Sequence, residues 1–353
     1  MDNNVFASKC FNQIIEEIKE CGFEKGATFI PENEYLIAMN NLNDGYNNRA
    51  YIKKLINIYD QISNKLPENE QADFYIKRES YNLLYPELAT PEMINMFDIV
   101  ARPLYSKYFK HSKCMRFVDF NQGLDARLVT EDKMAKLAET NIRPLRIAFD
   151  HYSMKKTYIK AIRIAAKYGI KDLSNYLLYN YYDKPDDLYY RMQINVDLCN
   201  ELNVTIYSFP MKYHPIDNPK YFSNREYIGR HWNRKFIRSI QAVLNATKGK
   251  IGQGKSYFQE AFGATIDDFH KILWMPEAFI IHRFQYKDNL TAEWWDKYCR
   301  LDSFQLSILQ VIVANNIFNE DVYTGDDAID QVLEYYQVKK GSNWLLTITN
   351  FSL

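Results

Sequence analysis

Four side chains rich in hydrogen-bonding groups, Asn121, Gln122, Asp125 and Arg127, follow the apolar run that begins RFVDF. They offer donors and acceptors suited to the polar groups of a cofactor, and Gly123 among them lets a ligand approach the backbone closely. Asp125 and Arg127 also read as a helix cap and an ion pair. Asp150 and His151 come directly after the apolar run LRIAF. This pair reads either as the cap of the next helix or as a binder of a ribose or amine. A third cluster, Tyr179, Asn180, Tyr181, Tyr182 and Asp183, ends the run LSNYLLY. Asn180 is the candidate ligand contact there, because amide side chains match adenine edges and carboxylates; the tyrosines read equally as packing or stacking. Asp183 is the expected N-cap of a helix with Pro185 in its first turn. Pro210, Tyr213, His214 and Pro215 bend the chain after a fourth run, and a lone histidine is more often an ordinary polar contact than a base.

Repeated βα units would place these clusters together. Between Arg116 and Pro215 the apolar runs alternate with helical patterns at 130–140, 154–168 and 185–202, and Gly169 stands where a left-handed helix cap is usual. Loops at the C-terminal ends of parallel strands converge on one mouth, so the polar clusters mark a working rim. Phe11, Ile14, Ile15 and Ile18 predict a helix over 5–21, stopped at Gly22. Residues 23–113 break the rhythm and read as an insertion, with one amphipathic helix in YIKKLINIYDQISNKL and a mixture of loop and short helices around Pro86, Pro91 and Pro103. Beyond Pro219 helices are expected at 225–246, 254–262, 266–273, 291–300, 302–319 and 326–338, with SNWLLTITNFSL as an edge strand or tail. The predicted fold is α/β, an incomplete (βα) TIM-like barrel of parallel strands over 1–218, followed by a mainly helical C-terminal domain over 219–353.

Composition narrows the function. Basic and acidic residues balance to a net charge of zero, so no global field draws the chain to nucleic acid or an acidic membrane. No apolar run approaches the roughly 18 residues of a membrane span, and MDNNVFASKC lacks the pattern of a secretory signal. A cytoplasmic location is expected. The five cysteines are odd in number and scattered, which fits neither a disulfide framework nor a closely spaced metal motif. No G-x-S-x-G, H-E-x-x-H or G-x-G-x-x-G occurs, and KGKIGQGK misses the phosphate-loop spacing. The stretch REYIGRHWNRKFIR interleaves basic and aromatic residues; it reads as an amphipathic helix with a solvated basic face, with RNA binding as the secondary reading.

The runs VDFNQGLDARLVTEDKMAKLAE, RIAFDHYSMKKTYIKAIRIAAKYGI, YLLYNYYDKPDDLYYR and IYSFPMKYHPI together resemble the radical S-adenosylmethionine superfamily. The likeness is strongest to its cobalamin-binding and methylthiotransferase-like branch. DNN at the start is similar to a strand end that follows the family's cluster loop, which adds Asn3 to the candidates. The resemblance implies S-adenosylmethionine and a [4Fe-4S] cluster as cofactors and radical chemistry on an unassigned substrate. It implies that Asn3, Asn121, Gln122, Asp125, Arg127, Asp150 and Asn180 position the cofactor rather than perform acid-base steps. The family holds its cluster through C-x-x-x-C-x-x-C, and this sequence has no such loop; Cys10 and Cys21 stand too far apart to replace it. The expectation is that the first strand and cluster loop belong to a truncated or separately encoded segment, so no metal ligand is assigned here. The alternatives are a non-catalytic scaffold that keeps the fold and binds the cofactor without turnover, and an RNA-associated protein using the segment around Trp232.

Overall fold

The computed structural model describes residues 4–110, 112–222, 224–249, 251, 254–316 and 322–337. Asn3, SNWLLTITNFSL and part of KGKIGQGK lie outside the described residues. The chain is mixed α/β and divides into two units, one comprising Met1–Lys25 with Phe117–Leu353, the other Gly26–Arg116.

The predicted helix over 5–21 is broken. Asn4 caps a short turn at Val5–Ala7, α1 covers Phe11–Ile18, and a wider turn over Lys19–Phe23 contains Gly22 at a positive φ of 77°. Gly22 tolerates that conformation because it lacks a Cβ.

The second unit begins with β1 (Thr28–Phe29) and ends with β2 (Cys114–Met115), which pair antiparallel with Thr28 opposite Met115. Between them run α2 (Glu34–Asn43), α3 (Asn48–Lys65), α4 (Glu68–Ser80) and α5 (Pro91–Tyr108). The predicted amphipathic helix is α3. The short helices expected around Pro91 and Pro103 are instead one long helix: Thr90 caps it, Pro91 occupies the first turn where no N–H is missed, and Ile94, Phe97, Ala101 and Tyr105 bury one face.

In the first unit the run RFVDFNQGL does not form the predicted regular strand. Val118 and Leu124 make isolated parallel bridges to Ile142 and Ile147, and Cys114–Met115 pairs with β1 instead. Thr130 then caps α6 (Glu131–Leu137). The parallel sheet follows in the order β3 (Leu145–Arg146), β4 (Asp172–Tyr179), β5 (Thr205–Lys212). Its crossovers are α7 (Lys155–Lys167) and α8 (Pro185–Leu202). Gly169 closes α7 at φ 80°, and Asp187 caps the first turn of α8 by accepting from the Lys184 N–H at 2.9 Å.

Alternation along the strands gives the sheet two unlike faces. Leu145, Ile147, Leu173, Leu177 and Ile206 are buried on the face toward α7 and α8. Asn175 and Ser208 on that face are hydrogen-bonded: Asn175 donates to the Tyr158 hydroxyl at 2.8 Å, and Ser208 accepts from the Asn195 amide of α8 at 2.7 Å. The other face carries Arg146 and Ser174 with Tyr176, Tyr207 and Met211, the last three 39%, 42% and 48% exposed. The described strands form no closed barrel.

After β5 come α9 (Pro219–Phe222), α10 (Arg234–Ala246), α11 (Lys255–Phe262), α12 (Ile266–Trp274) and α13 (Glu277–Ile281). They are followed by α14 (Arg283–Tyr286), α15 (Leu290–Arg300), α16 (Ser303–Ala314) and α17 (Asp327–Leu333). The helix predicted over 225–246 starts only at Arg234, because the Asn233 side chain accepts from the Phe236 N–H and ends the extended segment before it. These helices share a continuous apolar core with the sheet, from Leu173 through Ile240 and Phe269 to Trp294.

Candidate functional site

The C-terminal ends of β3 and β4 are gathered by one side chain absent from the sequence-derived candidates. Arg191 on α8 is fully buried and donates to the carbonyls of Phe149 (3.0 Å) and Asp150 (2.9 Å), just past β3, and to Leu178 (2.8 Å) on β4. The Asp183 carboxylate lies 3.4 Å from the same guanidinium. Burial pulls the Arg191 pKa down, opposed by Asp183, Asp187 and Asp150, and burial pushes Asp183 up, opposed by the Tyr181 N–H and Arg191. A buried arginine of this kind satisfies several carbonyls at once through its fixed fork of donors.

Asn180 ties in β5. At φ 70° its side chain turns inward, accepting from the Gly229 N–H at 2.8 Å and donating to the carbonyls of Tyr227 (3.0 Å) and Tyr213 (3.3 Å). It is wholly buried, so its amide is engaged by the backbone. Asp183, the expected helix cap, accepts from the Tyr181 N–H instead; Lys184 occupies the cap position of α8.

The remaining predicted residues lie toward the other end of the sheet order. Asn121 and Gln122 are exposed and line a cleft of about 440 Å³ with Val5, Ser8 and Ile14. Gly123 follows, and a Cβ there would meet the Ala148 Cβ at 3.4 Å, a close approach held by the Ala148 N–H donating to Leu124. Asp125 caps the turn Ala126–Leu128 and is gripped by Arg127 at 2.7 to 3.0 Å, which holds its carboxyl below the usual carboxylate range. Asp150 is exposed, and its charge acts on Arg127. The structure therefore pairs Asp125 with Arg127 and sets the Asp150 charge to act on that arginine, while Asn121 and Gln122 line the cleft.

Two constellations were not legible beforehand. Asp119 and Arg146 form a two-point ion pair (3.0 and 2.7 Å) on the uncovered sheet face, with Arg146 also donating to Ser174 at 3.2 Å. At the start of α8, Asp186 lies 2.7 Å from His270 Nε2, in a cleft of about 310 Å³ that His231 also lines. The alternation of VDF and LRI in the sequence was the available signal for the first. The second joins residues far apart along the chain.

No family model matches the chain, and no curated protein or solved structure matches it.

Among the described residues no group of three His, Cys, Asp or Glu side chains could hold a metal ion, and no helix is long and apolar enough to cross a membrane. Cys10, Cys21, Cys114 and Cys299 are exposed, and Cys199 is buried with its sulfur accepting from the Ile206 N–H. These thiols do not fit a three-cysteine cluster site. The basic stretch is not one solvated helical face either: Lys235 is fully buried, Trp232 is buried with its indole N–H donating to Asp183, and Arg238 is held by Glu277 at 2.8 and 2.9 Å.

Proposed function

We propose that this chain is the body of a radical S-adenosylmethionine-type protein, an incomplete βα barrel that binds an adenosyl-bearing sulfonium at the rim formed by its strand ends. The observation that carries the reading is the gathering of the ends of β3, β4 and β5 by Arg191 and Asn180. A sheet with helices on one face and an uncovered second face is what part of such a barrel would present. Asn121 and Gln122 supply amides for the adenine and ribose; Asp125, Arg127 and Asp150 meet the amino and carboxylate groups of the methionyl part. The cleft of about 440 Å³ beside Asn121 lies within the range of roughly 300–1,000 Å³ usual for small-molecule sites. Arg191 and Asn180 are positioning residues.

The scattered cysteines do not fit a cluster. Their placement favours, as a second reading, a scaffold that holds the adenosyl compound without turning it over.

Equilibrium dialysis of the full chain with S-adenosylmethionine tests the proposal. Saturable binding that weakens in Gln122→Ala and Arg127→Gln is expected. Absence of binding, or binding indifferent to both changes, removes it. Release of deoxyadenosine after reconstitution with iron, sulfide and a reductant separates the enzyme from the scaffold.

A further inference from the structure

A second cleft, of about 850 Å³, opens where β5 ends, at the opposite end of the sheet order from Asn121. Its wall carries four cations from three segments: Lys212 from the strand, Arg225 from the following loop, Arg234 and Arg238 from α10. They are incompletely balanced. Glu277 holds Arg238 at 2.8 Å, but Glu226 is 3.9 Å from Arg234, beyond hydrogen-bond distance. Lys212 donates to the neutral Arg225 carbonyl at 2.6 Å, and the Arg225 guanidinium has no acidic partner among the described residues. Burial first, and then the charges of Arg234 and Arg225, hold the Lys212 ammonium below the usual lysine range, opposed by Glu226, the one carboxylate lining the cleft among the described residues. Like charges kept this close favour an anion between them.

Two unsatisfied atoms belong to the same wall. Among the described residues, His214 Nδ1 and Asn316 Oδ1 are buried without a hydrogen-bond partner, and both residues line the cleft. Buried polar atoms without partners cost free energy that a ligand can recover. Ile216 and Ile228, 74% and 38% exposed, add apolar surface beside the charges.

The geometry points to a binding site for a small organic phosphate in this cleft. Guanidinium and ammonium groups together suit a dianionic phosphate, and the isoleucines suit an apolar body attached to it. A single-stranded RNA would need aromatic platforms, whereas Tyr227 is occupied edge-on by Tyr213 and Tyr221 at 5.5 and 5.3 Å.

Titration calorimetry of the full chain with inorganic phosphate and with phenyl phosphate, at low salt, tests the site. One saturable site is expected, with phenyl phosphate about tenfold tighter because its ring is buried. Arg225→Gln, an exposed position whose change spares the core, should weaken phenyl phosphate at least about tenfold, and Lys212→Gln similarly. Arg163→Gln on α7, remote from the cleft in sequence and paired with Glu201, should leave binding unchanged. No saturable heat, or equal affinity in Arg225→Gln, overturns the assignment. So does binding of an RNA oligonucleotide that phenyl phosphate fails to displace. S-adenosylmethionine binding by the Arg225→Gln chain should be intact, so the two proposals fail independently.

Discussion

Asn180 and Gly229 are locked together, with the Gly229 N–H donating to Asn180 Oδ1 at 2.8 Å. The contact leaves no space at the glycine: a Cβ on Gly229 would lie 2.8 Å from the Asn180 carbonyl carbon and nearer still to the Tyr181 oxygen. Gly229→Ala is therefore expected to destabilise the first unit by roughly 1–3 kcal/mol. At Asn180, φ is 70°, so Asn180→Ala should lose the same hydrogen bonds as Asn180→Gly and about 1–2 kcal/mol more for the left-handed backbone. Urea titrations of the three variants measure this, and equal losses for alanine and glycine would contradict the backbone argument.

Arg191 should be the most sensitive position on the rim. Arg191→Met keeps much of the volume but strips donors from the carbonyls of Phe149, Asp150 and Leu178 and leaves Asp183 without its partner. A loss of about 3–5 kcal/mol is expected. Chemical denaturation reads it directly; a loss under about 1 kcal/mol would mean the strand ends hold themselves.

Lys235 predicts a pH dependence. It is fully buried, with Nζ donating to Ser239 (2.6 Å) and to the Met275 carbonyl (2.5 Å), and burial brings its pKa down to about 7 from 10.5. Because the folded value is the lower one, the unfolded chain binds more protons between pH 7 and pH 10.5, so stability rises with pH across that window. The slope is at most about 1.4 kcal/mol per pH unit. The check is the difference between the wild type and Lys235→Met, which cancels the other titrating groups. A difference that stays flat through the window contradicts the prediction.

Asp125 has the same sign in a more acidic window. Arg127 lowers its folded pKa, so the stabilisation from this pair is present above the unfolded value and disappears as pH falls through the folded one. Arg127→Gln should move the Asp125 carboxyl resonance upward in pH, toward the ordinary range. Carbon-detected NMR of the side-chain carboxyl follows it, and an unmoved midpoint would assign the shift to the backbone N–H of Arg127 alone.

What could be read from the sequence was local. The apolar runs around Leu173 and Ile206, Pro185 at the start of α8 and Gly169 at the end of α7 carry their structural meaning in a few neighbouring residues, and those elements formed as expected. The start of α10 was misplaced because basic and aromatic residues from Arg225 onward have helical spacing, while Asn233 is the cap that decides the boundary. Asn180 looked like a ligand contact from its chemistry; its inward turn depends on where Gly229 arrives from far along the chain. Arg191 sits mid-helix without a local mark, and its role exists only once two strand ends meet beneath it. The cleft at the end of β5 draws residues from 211 to 316, a spread that periodicity does not encode.

The pairing of Thr28 with Met115 has a consequence for how this architecture tolerates change. Paired strands run about 4.8 Å apart, so the chain leaves and rejoins its host unit through neighbouring positions. For the host, everything from α2 to α5 then behaves as a single closed loop, whose entropic penalty grows only logarithmically, by about 0.6 kcal/mol for each doubling of length. Lengthening that loop twofold would therefore cost the host little closure entropy.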